Sequence, residues 1–131
     1  MPIRQHHTQH NLSLTHSWWL NGKYPNVTHI NKDLTSVFQE FENTFEDEND
    51  NLAFANTRAR LRMTALYQVA QFNKGLVVGT GNKVEDFGVG FFTKYGDGGV
   101  DISPIADCMK SEVWDMGKEL EITQANIDAE P

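Results

Sequence analysis

GLVVGTGNKVEDFGVGFFTKYGDGGVD, residues 75–101 of a 131-residue chain, is the stretch whose reading decides the fold. Leu76-Val77-Val78 is a short, β-branched apolar run set between Gly75 and Gly79, and it predicts a buried parallel strand rather than a helix. Gly79, Thr80 and Gly81 follow at its C-terminal end, small residues that let a ligand come close to the backbone. In open α/β sheets, ligands sit beyond the carboxyl ends of the strands. The segment then carries Lys83, Glu85, Asp86, Lys94, Asp97 and Asp101 among five further glycines. Lysines and carboxylates on a glycine-rich loop suit a phosphate-bearing ligand with a divalent metal.

Working outward, residues 56–72 predict a helix without internal Gly or Pro, with Leu61, Ala65, Val69 and Phe72 along one face. Helix followed by strand implies an αβ crossover in a parallel sheet, hence an α/β fold. Arg58, Arg60 and Arg62 alternate, so at 3.6 residues per turn they fan out rather than share a face. An arginine near a helix start is suited to clamp an anion. Further upstream, Phe38, Phe41 and Phe45 fall at helical spacing after a cap at Thr35 and read as core. Residues 46–51 (EDENDN) read as a solvated break without EF-hand spacing. Residues 11–20 predict a helix, and 27–30 a short strand. His6, His7, His10 and His16 match no common zinc spacing. Downstream, residues 102–105 are a short apolar piece, Asp107 is placed as the cap of a helix over 109–120, and Thr123 begins one further helix running to Pro131. Lys110 in that first turn opposes the helix dipole, which marks it as a functional candidate.

Composition sets the class of partner. With 11 basic against 18 acidic residues the formal net charge is −7, which argues against a nucleic-acid or anionic-membrane surface. The lone Cys108 excludes an internal disulfide and fits a reducing cytosol. No apolar run approaches a membrane span, so a cytoplasmic protein is expected.

GTGNKVEDFGVGFFTKYGDGG, with NTRARLRM upstream and Lys110 downstream, resembles the synthetase core of the ammonia-dependent NAD synthetases. The likeness is weaker up to about residue 50 and strong from 56 to 120. It implies a doubly wound, Rossmann-like parallel sheet of the ATP pyrophosphatase type. It also implies ATP- and Mg2+-dependent amidation of deamido-NAD by ammonia through an adenylated carboxylate, in a homodimer whose substrate site lies at the interface. On the matching positions, Gly79 and Thr80 stand where ATP is contacted and Glu85 where magnesium is held, with Asp86 as the fallback. Arg60, Lys94 and Asp101 stand where deamido-NAD is bound, and Lys110 where the ATP phosphates are held. Lys110 and Glu85 are the catalytic pair of this reading.

Two departures qualify the likeness. One extra residue, in DFGVG, lies between Glu85 and Lys94 relative to the shorter form of the loop. The family's Ser-Gly-Gly-x-Asp-Ser phosphate loop occurs nowhere in these residues. Residues 1–131 are therefore expected to be a single, incomplete synthetase core domain lacking the first strand with that loop and the C-terminal closing segment, and inactive alone. The alternative is a non-catalytic remnant that dimerises or binds deamido-NAD.

Overall fold

The computed structural model describes residues 1–4 and 6–129. Helix α1 (His7–Lys23) is longer than the sequence suggests. The His6 ring accepts from the Thr8 N–H at its start, and the chain passes through Gly22 before the Tyr24 N–H closes on the Leu20 carbonyl. Residues 27–34 form no strand. At α2 (Thr35–Thr44), Asp33 takes the capping role assigned to Thr35, its carboxylate accepting from the Thr35 N–H at 2.8 Å. A carboxylate two residues before the first free amide can reach it, and Thr35 itself is already helical.

Helix α3 (Asn51–Phe72) starts five residues earlier than the sequence reading placed it. Asp50, within the stretch expected as a loop, accepts from the Ala53 N–H at 2.7 Å and so caps it, and Glu46–Glu48 form a 3₁₀ turn. The core sits where α2 crosses α3. Phe38 (0% exposed) meets Phe54 edge to face at 6.0 Å, with Ile3 against them and Leu34 and Leu61 at the margin. Of the three-phenylalanine stripe only Phe38 is core. Phe41 and Phe45 stack on each other at 4.7 Å near the surface. The guanidinium groups of Arg4 and Arg58 lie over the Phe38 ring at 5.8 and 5.3 Å.

After α3 the chain passes through 76–78, where the expected sheet is reduced to one parallel bridge between Val78 and Ile102. The Asp101 and Ile102 N–H groups donate to the Val77 carbonyl, and the Gly79 N–H donates to the Ile102 carbonyl at 2.8 Å. A two-stranded pairing is only marginally stable without a third strand or a helix packed on it. Of the run expected to be a buried strand only Val77 is buried, while Leu76 and Val78 are exposed. The expected loop after Gly81 is instead a π-helix over Lys83–Val89, closed by Gly90 at φ 72°. Helix α4 (Lys110–Glu119) begins at Met109 rather than from a cap at Asp107, the Glu112 carboxylate accepting from the Met109 N–H at 2.7 Å. Helix α5 (Gln124–Ile127) is short, and the expected continuation to 131 includes Glu130 and Pro131, which lie outside the described residues. No helix among the described residues is long and apolar enough to cross a membrane.

Candidate nucleotide and metal site

The π-helix places the first pair of site residues. Asn82 precedes it, 2% exposed, and its side-chain oxygen accepts from the Val84 and Glu85 N–H groups at 3.0 and 3.1 Å. That fixes Glu85 in the first turn, from which its carboxylate pairs with the Lys110 ammonium at the start of α4. Both side chains are partly open to solvent. The Lys110 ammonium holds the Glu85 carboxyl below its ordinary value, Asn82 adds to the effect, and desolvation opposes it. The neighbouring Asp86 goes the other way, raised by desolvation and then by the charges of Glu85 and Asp97. Its carboxylate lies against Gly81, where a Cβ would meet it at 2.0 Å.

DFGVG lies in this element and its C-cap. The Gly90 and Phe91 N–H groups both return to the Glu85 carbonyl, a wider loop than the i→i+4 closure of an α-helix.

The second pair comes from α3 and the loop it faces. Arg60 Nε donates to the Lys94 carbonyl at 3.1 Å, and the Lys94 ammonium lies 5.1 Å from the Tyr95 ring centre. The arginines fan out as expected: Arg58 goes to Phe38, Arg60 to the loop, and Arg62 Nε to the Met1 carbonyl. Asp101 stands apart from both pairs and has a structural task. One oxygen accepts from the Val77 N–H at 2.7 Å and the other from the Tyr67 hydroxyl at 3.2 Å. Thr80 and Gly79 line an open cavity of about 570 Å³ with Arg62, Met63, Asp97 and Gly99. A second cavity of about 390 Å³ lies between the start of α3 and Phe91–Thr93, with Asn56 accepting from the Thr93 hydroxyl at 2.7 Å.

The structure thus joins Glu85 to Lys110 and Arg60 to Lys94. Among the described residues no hydrogen bond or ion pair links the two pairs. Sequence reasoning passed over Asn82, Asn56 and Tyr67. The signal for Asn82 was present: Asn82-x-x-Glu85 is a capping-box spacing. No group of three His, Cys, Asp or Glu among the described residues could hold a metal ion. A dedicated protein cage is therefore excluded among them. One accessible hard oxygen donor beside a lysine fits a Mg2+ that takes one protein carboxylate and shares phosphate oxygens.

An α/β chain with small residues beyond a parallel bridge and a lysine–carboxylate pair on the following helices is of the nucleotide-binding class. Residues 1–131 match the family model described as NAD synthase. The chain belongs to the NAD synthase family. It is 40% identical over 112 residues to the NH(3)-dependent NAD(+) synthetase of Carboxydothermus hydrogenoformans, covering 86% of this chain and 45% of that protein. It is 47% identical over 90 residues to the protein of the same description from Alkaliphilus oremlandii, covering 69% and 36%. Its structure resembles the NMN synthetase of Francisella tularensis with a TM-score of 0.87 at 31% identity, over 96% of this chain and 50% of that one. The NH3-dependent NAD synthetase of Campylobacter jejuni aligns with a TM-score of 0.67 at 33% identity, over 72% and 41%. The chain spans less than half the length of these curated relatives.

Proposed function

We propose that this chain forms the central part of an ATP-dependent amide-forming ligase of NAD biosynthesis. In the reaction, a pyridine carboxylate oxygen attacks the α-phosphorus of ATP and pyrophosphate leaves. The ammonia nitrogen then attacks the acyl carbon, AMP departs with the C–O bond electrons, and the nitrogen loses a proton. The observation that carries the reading is the Glu85–Lys110 pair, formed between the helix that follows Gly79-Thr80-Gly81 in sequence and the start of α4, in a chain matched throughout by the family.

Lys110 is assigned to the phosphates, where its charge stabilises the departing pyrophosphate. Thr80 and Gly79 line the cavity assigned to ATP. Glu85 would hold Mg2+, which would neutralise phosphate charge when bound. Arg60, Lys94 and Asp101 are assigned to the acid substrate, the first two being adjacent in the fold. The single parallel bridge is read as the remainder of a doubly wound sheet of the ATP pyrophosphatase type. A second copy of the chain is proposed to cover Phe87, Val89, Phe91 and Phe92, the last of these less exposed than the others. The ligase is placed in the cytoplasm, and the 131 residues alone are expected not to turn over.

The acid is assigned as deamido-NAD, a reading supported by the likeness to NH(3)-dependent NAD(+) synthetases at about 40% identity. A second reading, amidation of the mononucleotide acid, is favoured by the closer and more complete overlap with the protein described as an NMN synthetase. The test is AMP release by a gene product of the relatives' length, with ATP, Mg2+ and ammonia, on each acid in turn. Glu85→Ala or Lys110→Ala should lower kcat/KM on the order of 10²–10³-fold. Full activity in either variant overturns that residue's role, and turnover with neither acid overturns the ligase reading.

A further inference from the structure

Asn82 is the most buried polar side chain described, in a segment otherwise open to solvent. It lies within the loop assigned to nucleotide yet has no role in the chemistry above. Its side-chain oxygen accepts from the N–H groups of both Val84 and Glu85, and its carbonyl accepts from the Asp86 N–H at 3.0 Å. Three successive amides of the segment that bears the two carboxylates therefore end on one residue. From the other side, the Lys83 N–H donates to the Cys108 carbonyl at 3.0 Å, two residues before Lys110.

We propose that Asn82 is the positioning residue for the metal carboxylate: it fixes the turn from which Glu85 reaches both Lys110 and a phosphate-bound Mg2+. The inference rests on the metal role given to Glu85 above. A π-helix makes the need for such a residue acute. Its wider closure is less favourable than an α turn, so its first turn requires an outside acceptor to hold its direction. Residues that orient a metal ligand without touching the metal commonly alter affinity by about 10- to 100-fold when removed. The Glu85 carboxyl is lowered by Lys110 first and by Asn82 after it, which agrees with this arrangement.

The experiment is a double-mutant cycle on the gene product, reading Mn2+ affinity in the presence of ATP by electron paramagnetic resonance. Asn82→Ala should weaken Mn2+ about tenfold or more. Asn82→Ser, which keeps an acceptor for the two amides, should recover most of the loss. In a Glu85→Ala background, Asn82→Ala should change Mn2+ affinity no further, which a general loss of stability would not reproduce. Native affinity in Asn82→Ala, or an equal loss with and without Glu85, overturns the inference alone. Native affinity in Glu85→Ala overturns the metal reading and the inference with it.

Discussion

Adjacent carboxyls at 85 and 86 are pushed in opposite directions by their surroundings, and this gives the site opposite responses to acid. A carboxyl whose folded value lies below its unfolded one stabilises the fold above the unfolded value. It loses that contribution as pH falls through the folded value. Glu85 is of this kind, with an ordinary value of 4.5. Glu85→Gln should therefore lower the thermal midpoint at neutral pH, with the difference closing as pH falls below 4.5 and native Glu85 takes up its proton. Asp86 is raised, so its charged form is a burden on the fold above its ordinary value of 3.8. Asp86→Asn should raise the midpoint at neutral pH and lose its advantage below that value. Thermal scans of both variants across this range check the signs, and parallel curves would refute them. At this scale the sequence told which residues were charged and clustered, and the Glu85–Lys110 pair joins two of them. It did not tell that Asp101 spends both oxygens on Val77 and Tyr67, because that depends on a bridge formed between segments 24 residues apart.

The loop that leads into Ile102 lies along α3. Asn56 meets Thr93, Gly96 lies on Ala59, Arg60 meets Lys94, Gly99 lies on Met63, and Tyr67 meets Asp101. Positions 56, 59, 60, 63 and 67 form one stripe of a 3.6-residue helix, so a single face organises the whole FTKYGDGGVD segment. The two glycines are explained by this seating. A Cβ on Gly96 would stand 2.9 Å from the Ala59 Cβ and from the Thr93 side chain. Gly96→Ala is expected to cost about 1–3 kcal/mol by overpacking, read by urea denaturation. Gly22→Ala is the control: no atom lies within 4 Å, and α1 should gain about 0.4–1 kcal/mol. Equal effects at the two positions would sink the seating argument. Periodicity made α3 legible, because its repeat is long and unbroken. The π-helix was not legible, since a pattern with three glycines in 83–90 and its neighbourhood reads as loop until the Asn82 cap and the left-handed Gly90 are seen together.

The chain as a whole is under-covered. It exposes 9717 Å², against about 7,000 Å² for a compact monomer of 14.9 kDa. Part of the excess is apolar: Leu76 (66% exposed) and Val78 (55%) lie at the bridge, Leu66 lines one cavity with Val78, and Phe72 at the end of α3 is 83% exposed. The buried apolar set is only Ile3, Phe38, Phe54 and Val77 among the described residues. The parallel sheet expected from Leu76-Val77-Val78 is not formed beyond one bridge among the described residues, and two of its three residues are exposed, although strands of a parallel sheet are buried on both faces. The relatives are more than twice the length matched here. Two substitutions separate core from uncovered surface. Phe38→Ala should cost about 3–5 kcal/mol, a large share of the roughly 5–15 kcal/mol that holds a domain together. Phe72→Glu should leave the thermal midpoint of the 131-residue chain unchanged while reducing its concentration-dependent association in sedimentation velocity, because an exposed strand edge with apolar neighbours pairs with other chains. In a gene product of the relatives' length the same Phe72→Glu should be destabilising, since that face would then be interior. A chain that sediments as a monomer at all concentrations, with Phe72→Glu equally harmless in the longer product, would mean that the face is true surface and that nothing folds against it.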